Sequence, residues 1–190
     1  MKFLILIFLF TSSIFAVTIK DSLLKIHATL VPKLYLMDHS YKKKIKDKSI
    51  KIVITYNRSN YKSALSLKNK IESKYNNGLA NYKVTVKISL YSELSNNDAN
   101  IYYIFPSSSK NIRDVVKKAN ENKALTFSYL EDDLKYGVMI SLVIGVKVKP
   151  ILNLDAIKLH HISFRPILLN ISNIYRGEYI GLNSTKVILT

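Results

Sequence analysis

The sequence predicts an α/β fold: a single three-layer domain in which a mostly parallel sheet, with an antiparallel edge hairpin, carries helices on both faces. Three observations point there. Residues 50–56 and 101–105 are short, almost unbroken runs of β-branched and aromatic residues, the mark of strands buried on both faces. Each is followed by a segment with helical spacing, which makes two β-α steps and implies parallel pairing. Residues 82–90 alternate strictly, with Tyr82, Val84, Val86, Ile88 and Leu90 on one side and Lys83, Thr85, Lys87 and Ser89 on the other, so one face of that strand meets water.

In chain order, residues 22–31 open the domain as an amphipathic helix with Leu23, Ile26 and Leu30 in phase, continued by Leu34 and Met37. Pro32 is expected to kink or end it. Residues 41–48 are lysine-rich and read as a solvated connector. Beyond the strand 50–56, residues 60–75 set Tyr61, Ala64, Leu65, Lys68, Ile71 and Tyr75 in helical phase, and Asn76, Asn77 and Gly78 stop the helix. The strand 101–105 ends at Pro106, and the serines 107–109 can cap a helix over 111–122 that carries Ile112, Val115, Val116 and Ala119. A strand follows at 124–128, then a solvated acidic turn at Glu131, Asp132 and Asp133, then a strand at 137–144 that is apolar apart from Ser141. Gly145 allows a tight reversal into 146–154, where Pro150 demands an edge strand or a bulge. Ile157 and Leu159 sit on a short helical turn. Ser163 is placed to cap a closing helix with Ile167, Leu168, Ile171 and Ile174. The tail 176–190 is a loose end or adds one strand at 186–189.

The first sixteen residues have a different logic. Lys2 is followed by an uninterrupted apolar stretch from Phe3 to Phe10, then by Thr11, Ser12 and Ser13 and a small residue, Ala16, which is the pattern of a cleaved export signal. The cut is expected after Ala16. The stretch falls short of the ~20 apolar residues of a membrane span. About 170 residues then remain, enough to bury a core without staples. The absence of cysteine excludes disulfides, a thiolate nucleophile and any cysteine-bound metal, and suits a bacterial periplasmic protein. A net charge of +16 suggests an anionic partner. Nucleic acid is not expected, because the basic residues comprise 25 scattered lysines and only four arginines (Arg58, Arg113, Arg165, Arg176), and base recognition leans on arginine.

The sequence holds no catalytic motif. Its five glycines are unclustered, so no phosphate loop forms. His27, His39, His160 and His161 lack metal-ligand spacing, and the adjacent pair points in different directions. No serine lies in a strained Gly-x-Ser-x-Gly turn. No catalytic residue, metal or cofactor is therefore expected, and the default is a binding or regulatory module. His161, Ser163 and Arg165, on the stretch entering the last helix, form the one compact polar group suited to a ligand or partner.

Several short stretches are similar to the YfiR-like periplasmic regulators. The resemblance lies in Ile101 to Phe105, Leu125-Thr126-Phe127-Ser128, Gly137-Val138-Met139-Ile140, Leu152-Asn153-Leu154 with Ala156, and Leu168-Leu169. It spans residues 21–175, which places a YfiR-like domain at 17–175 between the signal at 1–16 and the tail at 176–190. Asn153 in this pattern can bond backbone where strand gives way to helix. The resemblance implies a non-enzymatic periplasmic protein that represses the sensory domain of an inner-membrane signalling enzyme and releases it under envelope stress. The implied partner is the periplasmic domain of a diguanylate cyclase or of a sensor histidine kinase. It leaves a small ligand and a homodimer open, and a periplasmic solute-binding protein is the alternative. Two departures stand out: a cysteine-based redox switch is impossible here, the family's cysteine falling near Ala99 or Asn100, and the loop between the last two strands is shorter.

Overall fold

A computed structural model describes residues 18–94 and 98–177. The expected export signal and most of the tail, including the strand expected at 186–189, lie outside these residues.

The domain is built around one seven-stranded sheet in the order β2-β1-β3-β4-β5-β6-β7. Its strands are β1 (Ser49–Tyr56), β2 (Lys83–Leu90), β3 (Ile101–Ile104), β4 (Leu125–Ser128), β5 (Ile140–Ile144), β6 (Val148–Leu152) and β7 (Asn173–Ile174). The first five run parallel, β6 pairs antiparallel with β5, and β7 pairs parallel with β6. The helices are α1 (Asp21–Tyr35), α2 (Tyr41–Lys44), α3 (Tyr61–Lys74), α4 (Ser109–Glu121), α5 (Leu154–Leu159) and α6 (Pro166–Ile171). The three-layer α/β architecture is as predicted.

Strand periodicity explains the layers. On β1, Ile50, Ile52 and Ile54 enter one core, and Val53 enters the other. On β3, Ile101 and Tyr103 share the first core while Tyr102 and Ile104 share the second. Helices α1, α3, α5 and α6 cover the first, through residues such as Leu24, Leu67, Ile157 and Leu168. Helix α4 covers the second with its stripe Ile112, Val115, Val116 and Ala119, joined by Leu134 from a 3-10 turn at Glu131–Tyr136. The chain leaves β1 through α3 in one direction and leaves β3 through α4 in the other, and right-handed crossovers of opposite sense put these helices on opposite faces.

The structure corrects several sequence expectations. Helix α1 runs through Pro32 to Tyr35. The proline's missing donor and ring clash cost about 3 kcal/mol in an isolated helix, but Val31, Leu34 and Tyr35 on either side are buried and hold the last turn against the sheet. The buried face of α1 is Leu24, His27, Ala28 and Val31, with Leu23, Ile26 and Leu30 only half-buried at its flank. The shift follows from His27, whose Nδ1 lies 2.6 Å from the Tyr103 hydroxyl and whose ring meets Phe127 edge-on at 5.4 Å. The lysine-rich connector contains the helical turn α2, anchored by Tyr41 packed edge-on against Tyr35 and Tyr82. Pro150 is tolerated because β7 pairs only with Ile151 and Leu152, leaving the outer edge of β6 free at the proline. Ile174 belongs to β7, not to the last helix.

The acidic turn is also not wholly solvated. Asp133 is buried, and its carboxylate accepts a hydrogen bond from the Ser128 hydroxyl. Gly137 closes the turn with φ 94°, a left-handed conformation that glycine adopts without penalty. Asn153 is buried and does two jobs: its Oδ1 accepts from the Ala156 N–H at 3.0 Å, capping α5, and its Nδ2 donates to the Leu134 carbonyl at 2.8 Å. Ser108 caps α4 by accepting from the Asn111 N–H.

Two buried groups make opposed contributions to acid stability. Burial pulls the His27 pKa down to about 4, so the native state resists protonation and loses stability as pH falls from about 6.5 to 4. Burial pushes Asp133 up to about 6, so the native state prefers the proton and loses stability as pH rises from about 4 to 6. Each effect is on the order of 3 kcal/mol across its window. Thermal melts should therefore show, relative to the natural protein, H27Q gaining stability between pH 6 and 4 and D133N losing it. An H27Q variant with the natural pH slope would contradict this account of His27.

Candidate functional site

Strand order reverses between β1 and β3, and in open α/β sheets ligands bind outside the carboxyl ends of the strands at such a point. Here that crevice is bridged by the protein itself. The Asn57 amide, just after β1, donates to the Pro106 carbonyl at 3.3 Å and to the Ser107 hydroxyl at 3.1 Å, just after β3. Asn60 donates to the same Pro106 carbonyl, and Asn111 to the Ser107 hydroxyl at 2.8 Å. The Tyr91 hydroxyl donates to the Phe105 carbonyl, and burial raises its pKa further above the phenol range. These groups are neutral amides and hydroxyls that hold two walls together.

The three residues singled out from sequence lie elsewhere, on the segment joining α5 to α6. After His161, whose φ of 53° turns the chain, Ile162 and Phe164 point inward while His161, Ser163 and Arg165 are exposed. The alternation over 162–165 puts Ser163 and Arg165 on one outward side of an extended strip, with His161 exposed at the turn before it. None of them makes a side-chain hydrogen bond or ion pair among the described residues. Ser163 does not cap α6: Arg165 takes the N-cap position, without a side-chain cap, and Pro166 opens the helix. The histidine pair diverges as expected, with His160 half-buried and its pKa lowered by burial and by the neighbouring His161.

What fixes the strip is a buried carboxylate that the sequence reading passed over. Asp38, 2% exposed, follows α1 and accepts from the Ser40 N–H and hydroxyl, both at 2.9 Å, and from the Lys44 ammonium at 2.6 Å. That knot shapes the α1–α2 loop, which pairs with the strip as an isolated antiparallel bridge between Asp38 and Phe164. The His39 N–H donates to the Ser163 carbonyl at 2.8 Å, and the Arg165 N–H to the Met37 carbonyl at 2.9 Å. The sequence signal was the Asp-x-Ser turn, in which an aspartate bonds backbone two residues on.

Apolar side chains accompany the strip. Leu159 is 58% exposed, Ile167 62%, Leu169 41% and Ile171 56%, a concentration unusual for one short stretch of surface. Ile167 and Ile171 lie one turn apart on α6 and share a side of the helix. Exposed apolar side chains in the same segment as an unpaired arginine can bind by shape and apolar contact, with the guanidinium giving orientation. It offers no acid-base pair or nucleophile.

Among known proteins, the profile of the YfiR/HmsC-like family matches residues 42–173. A solved structure of a conserved domain protein from Vibrio cholerae O1 biovar El Tor str. N16961 is similar with a TM-score of 0.58 at 13% identity, over 80% of this chain and 59% of that one. A second, the ABC domain in complex with L-Trp from Streptococcus pneumonia, gives a TM-score of 0.56 at 11% identity, over 80% of this chain and 62% of that one. The chain spans less than two thirds of either structure, and at these identities the likeness is one of fold. No curated protein sequence matches significantly.

The role of Asp38 is open to direct measurement. D38A should cost about 1–3 kcal/mol in urea denaturation, with the His39 and Arg165 amides exchanging faster while the β1 amides keep their protection. R165A, at an exposed and unpaired side chain, should stay within about 0.5 kcal/mol of the natural protein.

Proposed function

The chain belongs to the YfiR/HmsC-like family, a family of periplasmic regulators, and on that premise we propose that it controls a membrane-bound signalling partner by direct contact, without catalysis. It is exported by its N-terminal signal and represses the periplasmic sensory domain of an inner-membrane diguanylate cyclase or sensor kinase. The contact surface is the strip of residues 159–171. The observation that carries this reading is that exposed Leu159, Ile167, Leu169 and Ile171 all fall in the one segment, 159–171, that also holds exposed Arg165. Burying a leucine or isoleucine side chain in an interface contributes about 1.5–3 kcal/mol, so Ile167 and Ile171, on one side of α6, supply an apolar anchor of the kind that specific interfaces use.

Solute binding, the alternative, would use the crevice between β1 and β3. The bonds from Asn57 and Asn60 across that crevice weigh against it. No cofactor enters either reading.

Co-purification from envelope extract separates the two. The natural protein should retain an inner-membrane protein with a cyclase or kinase output domain. I167D/I171D, which changes only exposed side chains, should lose it about tenfold or more while its melting temperature is unchanged. Full retention by that variant would remove the strip from the interface, and specific retention of a small molecule without any membrane protein would favour solute binding.

A further inference from the structure

The two helices that lie over the first core frame a second surface. The start of α1 faces the middle of α3, where Asp21 meets the Lys70 ammonium at 3.0 Å and the Ser66 hydroxyl at 3.3 Å. Just past the end of α3, the Tyr75 hydroxyl donates to the Thr29 carbonyl of α1 at 2.6 Å. The helices therefore run side by side in the same direction, and a groove of about 810 Å³ lies between them.

Helical phase makes this groove basic. On α3, positions 62, 66, 70 and 74 recur every four residues and form one stripe, Lys62, Ser66, Lys70 and Lys74. On α1, Asp21, Lys25 and Thr29 form the facing stripe. Four lysines thus meet one carboxylate, and that carboxylate is already paired with Lys70, which holds its pKa below the usual range. Lys25, Lys62 and Lys74 are exposed and have no ion-pair partner among the described residues. The groove thus carries more positive than negative charge, which an anionic occupant would offset.

We propose that this α1–α3 groove binds an extended acidic peptide segment of a protein partner. The proposal rests on the reading that the protein works by contact with another protein, and it adds a second point of attachment with its own chemistry. Shape and charge together select the occupant. From Lys62 to Lys74 the stripe is roughly 18 Å long at 1.5 Å per residue, room for about five residues of extended chain. A concave channel of that length, walled by two helices, suits a strand of carboxylates better than a flat array of lipid headgroups.

The test uses the purified chain and a fluorescein-labelled hexaglutamate peptide, followed by anisotropy from low to physiological salt. K25E/K62E/K74E should weaken binding about tenfold or more, and the natural protein should itself lose affinity as salt rises. K117E/K147E/K149E, which changes net charge equally at exposed positions away from the groove, should lose less than about threefold. Equal loss in the two triple variants would reduce the effect to net charge and overturn the proposal. No peptide binding by the natural protein overturns it too, as does binding only to vesicles of phosphatidylglycerol and phosphatidylethanolamine. If K25E/K62E/K74E binds the peptide normally while I167D/I171D still releases the membrane partner, the groove assignment fails and the contact reading stands.

Discussion

Strands β1, β3 and β4 carry buried side chains on both faces, with Lys51 the one partial exception, and most of the architecture follows from that burial. A strand so placed can satisfy its backbone only through neighbouring strands and its side chains only through a layer on each side. The parallel ladders meet the first demand, and the opposed crossovers through α3 and α4 meet the second. Polar groups caught inside must then find internal partners. Asn153 shows the result: one buried amide caps α5 on one face of the sheet and bonds the Leu134 carbonyl of the 3-10 turn that covers the other. His27 on Tyr103 and Asp133 on Ser128 are further cases, and both keep their burial at the expense of their charged forms.

The same constraint pushes recognition outward. With the crevice at the strand ends tied by asparagine and serine side chains, the surfaces proposed for a partner are the outer ones: the apolar strip around α6 and the basic groove between α1 and α3. These differ in physics. As proposed, the strip would work by removing apolar area from water, which depends little on salt. The proposed groove would work through charge, which steers association and weakens as salt rises. A partner that engages both would gain specificity from the pairing. Without cysteine, any switch between bound and free states must act through such contacts or through protonation, because no disulfide can form.

Much of the fold was legible along the chain because strands and helices differ in period. The β-branched run at 50–56, the alternation at 82–90 and the stripe from Ile112 to Ala119 each reappear as β1, β2 and α4. Asn153 was readable as a strand-to-helix cap and Gly137 as the exit from a turn. Where expectation and structure part, the deciding interaction comes from residues far away in sequence. Val31, Leu34 and Tyr35 carry α1 past Pro32 because the sheet lies beneath them. The buried face of α1 turns toward His27 because Tyr103, on a strand formed much later, supplies its partner.

The candidate surfaces divide in the same way. Sequence alone determined that the chain is cysteine-free and strongly basic, that it has an α/β order of elements without catalytic motifs, and that His161, Ser163 and Arg165 are grouped near the last helix. It could also place Lys62, Lys70 and Lys74 on one side of a helix, since spacing of four is a local property. Tertiary structure decided which helix faces that stripe, that Asp38 is buried and fixes the strip, and that Leu159, Ile167, Leu169 and Ile171 stay outside the core. Periodicity says which residues share a side of an element, but only the packing of the whole chain says what that side meets.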